Sequence, residues 1–250
     1  MEISVIEASA TSDLAREARL AAQIVDAIFD GEPVWLEADK HKFLGVSMVS
    51  QTDTDSRGVL IIHGRGYHPD WEQVVRPLRI DLTEHGWNTL SLQMPVLEKD
   101  ATYYKYIPIF PEAFPRIEAG IKYLKEQGND AVVVIAHSCG VHMAMEWIRN
   151  RDISAMDGFI GIGMGATDYQ QTMKDPFPFE KITVPVLDIY GAMDYPAVQH
   201  GAEDRLAAMQ AAGNAKSNQV ILEDADHYMH EQDEVLIETV AGWLSDVFNN

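Results

Sequence analysis

Sulfhydryl chemistry is nearly missing from this chain: 250 residues hold one cysteine, Cys139. No internal disulfide can form, so packing must hold the fold, and cysteine usage leaves the redox compartment open. Positive charge is scarce as well, with 19 Lys and Arg against 39 Asp and Glu and a formal net charge of -20. A phosphate backbone would be repelled and no Lys/Arg stripe exists to grip it, so nucleic acid is excluded as a partner. The acidic balance is read as solubility. No apolar run approaches the roughly 18 residues of a membrane-crossing helix, so no transmembrane segment is expected. Met1-Glu2-Ile3-Ser4 has neither a basic n-region nor an apolar h-region. That places the chain in the cytoplasm, or in the periplasm or outside the cell if a leader was trimmed. No internal repeat or low-complexity tract is present.

What is there is an ordinary globular composition, 46% hydrophobic and 23% charged, enough for one α/β domain with a substantial core. The informative stretch is residues 131–144. Its first six residues are all Ala, Val or Ile, which suits a central parallel strand buried on both faces. The run breaks at Ala136-His137-Ser138-Cys139-Gly140 and resumes at helical spacing with Val141, Ala144, Met145 and Ile148. Strand, sharp turn with serine at its apex, helix: that is the context of a nucleophile elbow. Small residues two before and two after the serine let the turn close. The helix beginning there aims free N–H groups and its positive dipole end at an oxyanion. Ala136 stands where the usual motif has glycine.

The chain divides into an N-terminal helical segment, 1–31, packed on the body, and one α/β domain, 32–250. The first helix is read over 9–30, with Ser9, Thr11 or Ser12 as caps and Gly31 as its stop. Residues 34–38 and 43–49 form an antiparallel hairpin about the charged turn Asp39-Lys40-His41-Lys42. From residue 58 onward strands and helices alternate, the sign of a mostly parallel sheet with helices on both faces. Helices are expected over 71–86, to Gln127, over 198–212 and over 235–248. Residues 101–115 read as a long irregular loop whose aromatics either wall a pocket over Ser138 or pack on the body; on the first reading Tyr104, Tyr106 and Phe110, with Tyr67, are substrate-binding candidates. Residues 166–184 are too few for a helical lid.

Three residues fall just past the ends of different expected strands in the order Ser138, Asp194, His227: nucleophile, acid, base. A serine hydroxyl needs a base to take its proton as it attacks, an imidazole titrates near neutrality, and a carboxylate fixes the imidazole's tautomer. His63-Gly64, past the strand at 58–62, reads either as a glycine-rich strand-to-helix turn without chemistry or, taken with the elbow, as the loop whose Arg65 N–H partners that of Cys139 as the second oxyanion-hole donor. Competing assignments exist. Asp188 lies within its strand and faces a helical layer, and His230 stands further from the strand end. His137 and His142 flank the elbow as neighbours. Glu223, Asp224, Asp226, His227, His230 and Glu231 read as a solvated loop, so no metal or other cofactor is called for. Arg65 and Arg76 are candidates to favour an anionic substrate group.

These segments resemble the α/β-hydrolase superfamily over about residues 34–248, through His63-Gly64, the elbow, Val184-Pro185-Val186-Leu187 up to Asp194, and Asp226-His227. Three further stretches, 66–71, 86–95 and 190–198, are similar to a bacterial α/β-hydrolase branch catalogued as a domain of unknown function. The resemblance implies the fold and the Ser-His-Asp set and supplies no substrate. The expectation is a serine hydrolase of a small-molecule ester or thioester. Its rival is a catalytically silent member of the fold that binds a ligand. Oligomeric state leaves no mark in these residues.

Overall fold

The structure is a computed structural model that describes residues 11–52, 56–168 and 173–249. Eight strands lie in one sheet in the order β1-β2-β4-β3-β5-β6-β7-β8. They are β1 (Glu32–Ala38), β2 (His41–Met48), β3 (Arg57–Ile62), β4 (Asn88–Leu92), β5 (Ala131–His137), β6 (Gly158–Ile162), β7 (Val186–Met193) and β8 (Asn218–Asp226). The helices are α1 (Leu14–Ala27), α2 (Val75–Asp81), α3 (Tyr103–Tyr106), α4 (Phe114–Glu126), α5 (Cys139–Asn150), α6 (Pro196–His200), α7 (Ala202–Ala212) and α8 (Asp233–Phe248). Among the described residues no helix is long and apolar enough to cross a membrane.

The expected hairpin is there at the sheet edge. β1 pairs antiparallel with β2, and β2 with β4; every later pairing is parallel. Asp39 and Lys40 both take positive φ, 49° and 66°. That pair of values is a type I′ turn, whose twist matches the flanking strands. β5 shows why its sequence is apolar without alternation. Val132, Val134 and Ala136 enter one core, with α4 and α5, while Val133 and Ile135 enter the other, with α2 and α8. Helices cover both faces, so every position on this strand after Ala131 is buried. α1 adds a smaller layer: Ala21 and Ile24 pack on Leu44 and Val46 of β2.

Several expected boundaries moved. Of the expected first helix, residues 9 and 10, Ser9 included, lie outside the described residues. Asp13, neither Thr11 nor Ser12, caps α1 by accepting the Arg16 N–H at 2.8 Å. The stretch 101–115 is no irregular loop. It is α3, a 3-10 turn over Ile107–Ala113, and the start of α4. Pro108 and Pro115 sit in first turns, where a missing N–H costs nothing. Of the helix expected over 71–86 only Val75–Asp81 is α-helical, and the expected helix 198–212 is split at Gly201.

Candidate active site

Ser138 stands between β5 and α5 with φ 55° and ψ -124°. Such a conformation for a residue with a side chain costs about 1–3 kcal/mol and persists only where neighbours force it. Here they do. The Ser138 N–H donates to the Ile162 carbonyl at 2.9 Å, and its own carbonyl accepts the Val141 N–H at 3.0 Å. Gly140 leaves the space the turn needs, since a Cβ there would lie 2.5 Å from the His63 carbonyl oxygen. The methyl of Ala136 turns away into the core, so the departure from glycine is harmless.

The serine hydroxyl lies 2.8 Å from His227 Nε2, and His227 Nδ1 lies 2.7 Å from Asp194 Oδ1. The imidazole and the carboxylate are buried. Their nearness is set by the sheet. β7 and β8 run in parallel register until a shift between Gly191 and Met193, after which Met193 pairs with Asp226. Residues 194 and 227 therefore leave the sheet side by side. Gly191 permits this, because a Cβ there would meet the Ala225 carbonyl oxygen at 2.1 Å. Asp194 Oδ1 also accepts the Tyr195 N–H at 2.6 Å, which fixes the carboxylate. The Tyr195 ring stacks on His227 at 4.3 Å, with Tyr228 edge-on at 5.2 Å.

The loop after β3 approaches from the other side. A Cβ on Gly64 would lie 3.2 Å from Ser138 Cβ, so this glycine lets the loop come alongside the hydroxyl. Neither the Arg65 nor the Cys139 N–H donates to another described residue, which leaves both free for an oxyanion. His63 holds the loop: its Nδ1–H donates to the Gly64 carbonyl at 2.7 Å and its Nε2 accepts the Met94 N–H at 2.9 Å. That donor–acceptor pair requires the neutral ring, and burial lowers its pKa to about 3. Burial likewise lowers His137 to about 3 and His142 to about 4. Both rings turn Nε2 to a backbone carbonyl, that of His227 and that of Ala166, each at 2.9 Å. Burial also raises the Cys139 thiol to about 12, so this sulfur packs and does not react.

A cleft of about 460 Å³ opens over Ser138, lined among others by Arg65, Tyr67, Trp71, Tyr103, Tyr195 and Tyr228. A larger cavity of about 640 Å³, walled by Phe177, Phe179 and Arg205, does not include Ser138. Size alone would choose the larger; the hydrogen-bonded row selects the smaller. Of the four substrate-binding candidates only Tyr67 lines this cleft. Tyr106 is fully buried, its hydroxyl accepting the Leu97 N–H at 2.9 Å. Phe110 is buried in the core beside Tyr103, and Tyr104 is exposed outside the cleft. A helical 101–115 turns every third or fourth residue into the core where a loop would have presented the aromatics together. Tyr103 is the member that reaches the cleft, and Trp71, Tyr195 and Tyr228 went unread. Two of these immediately follow Asp194 and His227, a signal the sequence did offer.

The competitors are accounted for. Asp188 is fully buried against Arg205 at 2.8 Å and Gln219 at 2.7 Å. His230 is exposed and bonds Asp226 at 2.7 Å. Arg76 pairs with Asp70 away from the cleft, and Arg65 is neutralised by Asp168 at 2.5 Å. Arg76 shares Asp70 with Arg79 and does not line the cleft, and the Arg65 charge is paired.

Among solved structures, an esterase of Pyrococcus furiosus matches with a TM-score of 0.69 at 16% identity, over 88% of this chain and 92% of that one. Est1E from Butyrivibrio proteoclasticus matches at 0.65 and 18%, over 88% and 100%. A lidless a/b serine hydrolase of Xanthomonas campestris matches at 0.63 and 13%, over 88% and 96%. No curated protein matches the sequence. The family described as protein of unknown function (DUF3530) matches over residues 6–107 and 110–246. The chain has the α/β-hydrolase fold and belongs to the DUF3530 family.

Proposed function

We propose that the protein is a serine hydrolase that cleaves a carboxylic ester or thioester through an acyl-enzyme. The observation that carries this is the unbroken row from the Ser138 hydroxyl through His227 to Asp194, at 2.8 and 2.7 Å. In the first half-reaction Ser138 Oγ attacks the carbonyl carbon while its proton passes to His227 Nε2. The oxyanion is received by the N–H groups of Arg65 and Cys139. The intermediate collapses, the leaving alcohol or thiol takes the proton from His227, and the acyl group stays on Ser138. Water, deprotonated by His227, then attacks the acyl carbon; the second intermediate collapses, Ser138 Oγ takes the proton back from His227, and the acid leaves. Asp194 holds Nδ1–H and stabilises the imidazolium.

His137, neutral at its lowered pKa of about 3, adds no second positive charge beside that imidazolium. The rings of Tyr67, Trp71, Tyr195 and Tyr228 suit an acyl or aryl group of the substrate. Two structural neighbours described as an esterase and a serine hydrolase support the reaction class. The test is a fluorophosphonate probe on wild type and Ser138→Ala. Labelling of the wild type alone is expected. A folded wild type that takes no label sinks the proposal and favours the silent binding protein.

A further inference from the structure

The cleft inverts the charge of the chain that builds it. Acidic residues outnumber basic ones 39 to 19, yet the lining around Ser138 includes Arg16, Arg65 and Lys99 and, among the described residues, no Asp or Glu. Asp168, next in the chain to the lining residue Thr167, is already spent. Its Oδ1 pairs with Arg65 and its Oδ2 accepts the Tyr103 N–H, both at 2.5 Å.

Arg16, reaching in from α1, is held without being neutralised. It donates to the carbonyls of Gly66, at 2.9 Å, and Leu97. These are uncharged acceptors, and Arg16 has no carboxylate partner among the described residues. Lys99 is exposed at the mouth and has no ion-pair partner among the described residues either. Its neighbour Glu98 pairs with Lys105 at 2.9 Å and does not line the cleft. Two cations without an ion-pair partner among the described residues therefore line one opening on a strongly acidic protein. A neutral ester makes no use of them; a substrate with a negative charge does.

Resting on the hydrolase reading above, we propose that the substrate carries a second, anionic group, a carboxylate or phosphate. Arg16 and Lys99 hold that group at the mouth while the ester carbonyl lies at Ser138. Arg16 gives a directional fork already fixed by two carbonyls, and Lys99 a mobile point charge. The cations also draw an anionic ester into the cleft of a protein whose overall field would repel it.

The test compares mono-4-nitrophenyl adipate and suberate with the same esters capped by a methyl group at the far carboxyl. Wild type is expected to favour the anionic member of each pair in kcat/KM by about tenfold or more. Arg16→Gln and Lys99→Gln each lower that ratio about fivefold, whereas Lys122→Gln, which removes an equal charge from α4, leaves it alone. Because Arg16 also tethers Gly66, Lys99→Glu on the exposed side gives a second variant that keeps the fold. Free adipate and inorganic phosphate, as competitors at constant ionic strength, tell which anion the site prefers.

A wild-type ratio of one or less overturns the inference while leaving the hydrolase reading intact. If no ester is cleaved, the hydrolase reading falls. Calorimetry then decides the inference: adipate or phosphate must bind wild type and bind Lys99→Glu more weakly, and binding of neither refutes it.

Discussion

Acid is expected to unfold this protein well before its carboxylates protonate, because three histidines around the site are buried neutral. His63, His137 and His142 have pKa values lowered by burial from 6.5 to about 3, 3 and 4. The unfolded chain takes up a proton on each as pH falls through 6.5, and the folded chain does not. Their contribution to stability is thus complete above that pH and is lost as pH falls toward the folded values. At pH 5, 1.5 units below the ordinary value, each histidine costs about 2 kcal/mol, and the three together about 6. That compares with a total stability of about 5–15 kcal/mol for a typical domain. Asp188, whose carboxyl burial raises, works in the opposite sense and makes this an upper figure. Urea unfolding followed by tryptophan fluorescence at pH 8, 6.5 and 5 measures the effect, and His142→Gln should remove about a third of the pH dependence. A midpoint that stays level from pH 6.5 to pH 5 would refute the reasoning.

Asp194→Asn puts the wrong tautomer of His227 toward Ser138 and should lower kcat about 10⁴-fold with little loss of fold, read by ester turnover beside a thermal melt. Gly163→Ala places a Cβ 2.8 Å from His227 Cε1 at φ 64°. Displacing the imidazole should cost roughly 10² in kcat, and an unchanged kcat would show the loop yields freely. Glu17 and Arg116 form a buried ion pair at 2.9 Å, each about 3–4% exposed. Glu17→Ala leaves the guanidinium buried and unpaired and should cost about 3–5 kcal/mol in urea unfolding, while Glu17→Leu with Arg116→Met recovers most of it.

The parts of the site that the sequence disclosed are those set by the backbone path. Ser138 was legible because a strand apolar on both faces must end abruptly to start a helix, and small residues mark the place. Asp194 and His227 were legible because parallel strands deliver their C-terminal ends to one edge of the sheet. What a strand end cannot disclose is which side chains of neighbouring elements lean over it. Tyr106 and Phe110 look like pocket residues while 101–115 is taken as a loop. Once it coils they fall into the core, and Tyr103, three and seven residues away, takes the cleft position. The α1 helix was legible from Leu20, Ile24 and Ala27, but Arg16 was not, since it acts through carbonyls some 50 and 81 residues away.

The histidines sharpen that point. Of the nine in the chain, one has its ring between a serine hydroxyl and a carboxylate, and sequence context selects it only through its strand-end position. His63 and His137 stand equally close to strand ends, on β3 and β5. They differ from His227 in what their ring nitrogens face. His63 meets a carbonyl on one side and an N–H on the other, and His137 turns Nε2 to the His227 carbonyl. Neither ring meets a hydroxyl: both nitrogens of His63 are engaged, and His137 Nδ1 is buried with no partner among the described residues. His227 instead has a carboxylate behind it and a serine before it, and it alone of the three keeps one nitrogen on a group that can give up a proton. Position brings three imidazoles to one edge of the sheet, and hydrogen-bond partners decide which of them can be the base.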